Sequence, residues 1–111
     1  MVDLVWCPPD SSLFNSTTLK PLIAQSLRHR LPIVGFSSGF VRAGAVAGAF
    51  PDFRDVGEQT AELAGRFLSG QPIPANERPR KLRIGINLHV ARLFGVRYRH
   101  PSNRFAELAL L

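Results

Sequence analysis

Three apolar runs, each closed by small polar or turn-forming residues, constrain this chain more than any other feature. Residues 2–7 end in Pro8-Pro9-Asp10-Ser11-Ser12, residues 31–36 end in Ser37-Ser38-Gly39, and residues 44–50 end in Pro51-Asp52. Short continuous apolar runs bounded by turn signals read as strands buried on both faces. In open α/β sheets ligands bind outside the carboxyl ends of such strands. Small hydroxyls and backbone N–H groups at that edge suit reversible binding of a small molecule better than bond-breaking chemistry.

The segments between the runs carry helical periodicity. Leu19, Leu22, Ile23, Ser26 and Leu27 share one face, with Arg28, His29 and Arg30 at the end, where cations complement the helix dipole. Ser11, Ser12 or Asn15 is expected to cap this helix, and Pro21 either lies in its first turn or kinks it. A short turn of helix is expected at residues 40–42. Asp52 or Asp55 caps a longer helix whose face is Val56, Thr60, Leu63, Ala64, Phe67 and Leu68, closed by Gly70. A Pro-rich connector follows at residues 71–79. Residues 82–86 read as a fourth strand, Asn87 as the cap of a helix over 88–94, and Gly95 as its stop. Ser102 is expected to cap a last helix with Phe105, Leu108 and Ala109 inward. The expected order is β-α-β-β-α-β-α plus that C-terminal helix, and crossover helices favour a mostly parallel sheet flanked by helices.

A chain of 111 residues holds one domain or part of one. Its 45% hydrophobic content argues against disorder, and no apolar run reaches the roughly 18 residues that span a bilayer. Met1-Val2-Asp3-Leu4 has neither a basic n-region nor a cleavage site. The single cysteine, Cys7, excludes an internal disulfide and reads as a small buried hydrophobe rather than a nucleophile. The net charge is +6, and Arg78, Arg80, Lys81, Arg83, Arg92, Arg97, Arg99 and Arg104 crowd the last third. Such clustering can mark a nucleic-acid or anionic-membrane surface. It equally describes a solvated basic face, and no recognition helix, zinc spacing or RNA-stacking motif accompanies it. His29, His89 and His100 lack metal-ligand spacing, and no nucleophile elbow or phosphate loop is present. Metal, cofactor and catalytic chemistry are therefore not expected, and Asp10 with Asp52 is the one pair that could act as acid and base or hold a divalent cation.

Taken in order, these pieces resemble a known family. Pro8 to Asp10 after a strand, Leu31 to Val34, Arg42 to Gly44, Asp52-Phe53 before a helix containing Gly57, and Ile86, Asn87, Ala91 and Gly95 are similar to the C-terminal part of ABC-transporter substrate-binding proteins of the uncharacterised, type I periplasmic-binding-protein kind. The match runs over about residues 2 to 98. The resemblance implies flavodoxin-like lobes that close on a small solute, an amino acid or similar molecule, and hand it to an ABC permease without chemistry. It implies an incomplete, C-terminal portion of such a protein. Residues 1–50 would belong to the second lobe, residues 51–81 to a first-lobe helix and connector, and residues 82–111 to a return segment and C-terminal helix. Near Pro51-Asp52 the chain would cross a hinge. The helix at 56–68 would then expose an apolar face and offer a route to self-association. The family acts outside the cytoplasm, whereas the chain as given carries no visible export signal and would stay cytoplasmic. A small basic α/β domain binding nucleic acid or a protein partner through residues 78–104 is the alternative, and a hydrolase or phosphotransfer domain using Asp10 and Asp52 is a third reading.

The candidate ligand-binding residues are Asp10, Ser11, Ser37, Ser38, Phe40, Asp52 and Phe53. Asp10 can accept from an ammonium or hydroxyl, or simply hold a turn. Ser37 and Ser38 can donate to a carboxylate, or serve turn chemistry. Phe36, Phe40 and Phe53 can wall an apolar pocket, or pack a core. Asp52 combines a strand end, the proposed hinge and a helix start, and an N-cap alone would account for it. Arg42 can pair with a ligand carboxylate or with an acidic neighbour.

Overall fold

Five short strands and four helices alternate along the chain in the computed structural model, which describes residues 2–97 and 106–110. The order is β1 (Val5–Trp6), α1 (Leu19–His29), β2 (Ile33–Gly35), α2 (Ser38–Ala43), β3 (Ala47–Phe50), α3 (Phe53–Leu68), β4 (Leu82–Ile86), α4 (Leu88–Phe94) and β5 (Ala106–Leu110). Each strand pairs with the next, giving the sheet order β1-β2-β3-β4-β5. Three pairings are parallel, and β3–β4 is antiparallel with Phe50 opposite Arg83 and Ala47 opposite Ile86. This is the mixed α/β, mostly parallel architecture the residues imply.

Three expected elements differ. The first run is not a strand buried on both faces: only Val5–Trp6 pair with β2, and Val2, Leu4 and Trp6 are exposed at the sheet's edge. The third apolar run begins as a helix end: α2 extends through Ala43, and Gly44 closes it at φ 144°, its N–H donating to the Phe40 and Val41 carbonyls. The strand therefore starts only at Ala47. The expected C-terminal helix is a strand. Residues 106–110 lie parallel to β4, from Leu82 opposite Ala106 to Ile86 opposite Leu110. A helix of fewer than about ten residues repays its own nucleation poorly, whereas the open edge of β4 offers backbone groups that need partners. Ser102 and Phe105 fall outside the described residues.

Pro21 sits in the first turn of α1, so no kink arises. Asn15 organises the turn before that helix, its Oδ1 accepting from the Thr17 and Thr18 amides at 2.9 and 3.2 Å. Thr18 occupies the cap position but makes no side-chain bond to the helix amides; its hydroxyl accepts from the Asn15 amide and donates to the Leu13 carbonyl instead. The expected caps at Asp52 and Asn87 form, Asp52 Oδ1 accepting from the Arg54 amide and Asn87 Oδ1 from the Val90 amide, and Ser37, not expected as a cap, accepts from the Phe40 amide with its Oγ. Gly95 ends α4 at φ 66°.

Strand alternation divides the core in two. Ile33 joins Cys7, Phe40, Val41, Ala45 and Phe50, with Leu19 and Leu22 of α1 packed against them. Its neighbour Val34 points the other way, onto a cluster of Val46, Ile86, Val90 and Ala91. Gly35 gives the Phe40 ring room, since a Cβ there would lie 2.7 Å from that ring and force it to shift. The exception to this packing is α3, which buries none of its sixteen residues. Phe67 and Leu68 are exposed, as the resemblance implies for this helix.

Candidate functional site

Because β1, β2 and β3 are parallel, their carboxyl ends share one edge of the sheet. Since β4 runs the other way, its first residues reach the same edge. An open cleft of about 380 Å³ lies there. Phe36, Ser37, Ser38 and Arg42 line it from the end of β2 and from α2; Phe50, Pro51, Asp52 and Phe53 line it from the β3–α3 junction. Arg83 enters from β4, because the antiparallel register sets it beside Phe50.

Four of the seven candidate residues meet in this cleft: Ser37, Ser38, Asp52 and Phe53. The Ser37 oxygen is engaged as the α2 cap at 3.1 Å, which leaves its O–H free to donate outward. Phe53 is 92% exposed, a large apolar ring held at the mouth with little packing behind it. Phe40 is 3% exposed and does not line the cleft. It buttresses the cleft from behind, edge-on to Phe36 at 5.4 Å between ring centroids, and Phe14 touches both rings. Asp10 and Ser11 lie in the loop after β1 and are not among the lining residues. Asp10 Oδ1 accepts from the Ser12 hydroxyl at 2.6 Å and the Ser12 amide at 2.9 Å. The hydroxyl first, and then the amide, hold the Asp10 carboxyl below the usual carboxylate range.

The electrostatics divide the cleft. Asp52 caps α3 with Oδ1, while its Oδ2 faces the Arg83 Nε at 3.7 Å. Arg83 Nη2 also meets Asp55 Oδ2 at 3.3 Å, one turn further into α3. Arg42 is exposed, and no ion pair to it occurs among the described residues. One cationic group thus faces the cleft uncompensated, near two serine hydroxyls and three phenyl rings. Arg83 is the site residue that sequence reasoning did not single out. It reads there as one more charge in the basic tail, and only strand pairing brings it beside Asp52.

The rest of the basic tail is partly spoken for. Arg80 pairs with Glu62 at 2.7 Å and with Glu77 at 2.6 Å, and the Glu77 contact, then Glu62, raises its pKa further. Cys7 is buried, and burial pushes its thiol pKa up, which keeps it protonated and unreactive at neutral pH. No group of three His, Cys, Asp or Glu side chains capable of holding a metal occurs among the described residues. No helix among them is long and apolar enough to cross a membrane.

The fold is the one seen in substrate-binding proteins. A ligand-free, open structure of a substrate binding protein with adhesive properties from Clostridium difficile superimposes with a TM-score of 0.72 at 20% identity, over 96% of this chain. An ABC domain from Streptococcus pneumonia in complex with L-Trp gives 0.64 at 19% identity over 99% of this chain. A conserved domain protein from Vibrio cholerae gives 0.61, also at 19% identity, over 96% of the chain. The chain spans only 36 to 37% of the length of these structures. No protein-family model and no curated protein sequence matches it.

Proposed function

We propose that this chain is the C-terminal portion of the solute-binding component of an ABC-type import system and binds a small polar molecule without transforming it. The observation that carries this reading is the convergence of Ser37, Ser38, Arg42, Asp52, Phe53 and Arg83 on one open cleft at the strand edge. Arg42 and the serine hydroxyls suit a carboxylate, Asp52 suits an ammonium group, and Phe36 and Phe53 suit an apolar side chain. That set matches an amino acid, and a structural neighbour holds L-Trp. Asp10 and Ser11, on the same edge after β1, are outer contacts in this reading, and Phe40 positions Phe36. The carboxylates of Asp10 and Asp52 are each committed to a local turn or cap, which disfavours them as an acid–base pair.

The lobe assignment belongs to the same proposal. Residues 1–50 form second-lobe structure, and residues 51–81 carry α3 and its connector to the first lobe. Residues 82–111 return the chain to the sheet and finish in β5. The bare surface of α3 supports that division, since a first-lobe partner would cover it. The setting is extracytoplasmic, and the partner is a membrane permease. Where α3 stays uncovered, self-association through Phe67 and Leu68 follows, and Leu68→Glu should abolish any concentration-dependent dimer in sedimentation.

Titration of isotopically labelled protein with a panel of L-amino acids that includes L-Trp tests the binding reading. Saturable shifts at the amides of residues 37–42 and 52–54, lost in Arg42→Ala, are expected. A panel that leaves those amides unmoved, or a solute consumed during the titration, would defeat it. Permease and ATPase genes beside the coding sequence are expected for the transport role.

A further inference from the structure

Helix α3 and the connector behind it are tied to each other more tightly than to the sheet. Gln59 Oε1 accepts from the Arg80 amide at 2.9 Å, and its Nε2 donates to the Arg78 carbonyl at 2.9 Å and to Glu77 at 3.0 Å. Arg80 then bridges Glu62 and Glu77, and Arg66 Nη2 donates to the Pro72 carbonyl at 2.8 Å. These bonds make one body of α3 and residues 72–80. It leaves the sheet after Phe50 and returns to it before Leu82.

At the base of that body sits the Arg83 cluster. Its guanidinium, 25% exposed, faces Asp52 and Asp55, which are 37% and 11% exposed, and both acids belong to the start of α3. Arg83 and Asp52 also line the cleft. From this geometry we infer that the Arg83–Asp52–Asp55 cluster is an electrostatic latch holding the α3 body against the sheet, and that a carboxylate drawn into the cleft by Arg42 releases it by competing for Arg83 as well. The exchange needs no covalent step: the guanidinium trades one carboxylate partner for another, and α3 loses its charged anchor. The inference rests on the proposed ligand site for its trigger, but the latch exists whether or not an amino acid is the natural solute.

Hydrogen exchange at the α3 amides of residues 56–60 reads the latch directly, with the β3 and β4 amides of Gly48 and Gly85 as internal controls. Arg83→Gln and Asp55→Asn should each speed exchange at the α3 amides by about tenfold, since each removes one partner of a half-buried pair. Glu58→Gln removes a carboxylate from the same helix start without touching Arg83, and should leave the rates within about twofold of wild type. Sodium benzoate, at ionic strength matched with sodium chloride, should speed the same amides in wild type and not in Arg83→Gln. Unchanged α3 rates in Arg83→Gln and Asp55→Asn overturn the latch. Faster rates in both variants with no response to benzoate overturn the release mechanism. Neither result depends on the amino-acid titration that tests the binding reading.

Discussion

Asn87 does two jobs, and separating them tests the logic by which this fold is held together. Its Oδ1 accepts from the Val90 amide at 3.1 Å and caps α4, while its Nδ2 donates to the Val41 carbonyl at 2.9 Å, across 46 residues of chain. Val41 is fully buried, with 0% exposure, so water cannot readily replace that donor. Asn87→Ala removes both bonds. Loss of the cap costs about 1 kcal/mol, and an orphaned buried carbonyl costs about 1–3 kcal/mol, so a total of about 2–4 kcal/mol is expected. Asn87→Asp keeps the acceptor and deletes the donor, setting a carboxylate oxygen against the Val41 carbonyl. The negative charge at the helix start gains back at most about 1 kcal/mol. Because the carboxylate also repels the Val41 carbonyl, the loss outweighs that gain, and the aspartate variant should remain less stable than wild type by up to about 3 kcal/mol. Urea unfolding followed by far-ultraviolet circular dichroism measures both, with an unchanged slope confirming that stability alone has moved. An aspartate variant with the wild-type midpoint would refute the claim that the Val41 bond stabilises the fold.

Further outcomes follow from the same contacts. Gly35→Ala should destabilise by about 1–3 kcal/mol, because its Cβ would meet the Phe40 ring at 2.7 Å; denaturation midpoints measure the loss, and a neutral result would show that the ring yields freely. Cys7, buried and with its thiol pKa raised by that burial, should resist a disulfide reagent at neutral pH and react fully only in denaturant. Ser12→Ala should raise the Asp10 pKa, read by the carboxyl carbon shift during an NMR pH titration. Asp10 has a depressed folded-state pKa, so its stabilising contribution is present above the unfolded value and is lost as the pH falls through the folded one. The Ser12→Ala variant should lose less of its own stability over that acidic interval.

Much of the fold is legible where the governing interactions are local. The cap at Asn87 and the stop at Gly95 bracket α4 as the residues imply, and Asp52 caps α3 with its own carboxylate. The Ile86, Asn87, Ala91 and Gly95 pattern acquires physical content in the structure. Ile86 and Ala91 are core, Asn87 caps and cross-braces, and Gly95 takes a left-handed backbone. The candidate site was partly legible for the same reason: Ser37, Ser38, Asp52 and Phe53 follow strand ends, and strand ends share an edge. Phe36 and Phe40 were indistinguishable as neighbours in sequence, but one lines the cleft and the other lies behind it.

Residue type and spacing alone thus determine where α1, α3, β4 and α4 form, where α3 and α4 are capped, and that three strand ends carry polar groups. Those outcomes depend on interactions within a few residues along the chain. Tertiary structure decides that β4 runs antiparallel and delivers Arg83 to Asp52 and Asp55, and that residues 106–110 become a strand. It also decides that Asn87 reaches Val41. Each of these is a pairing across tens of residues, fixed by which backbone edges and buried groups still need partners once the local elements have formed.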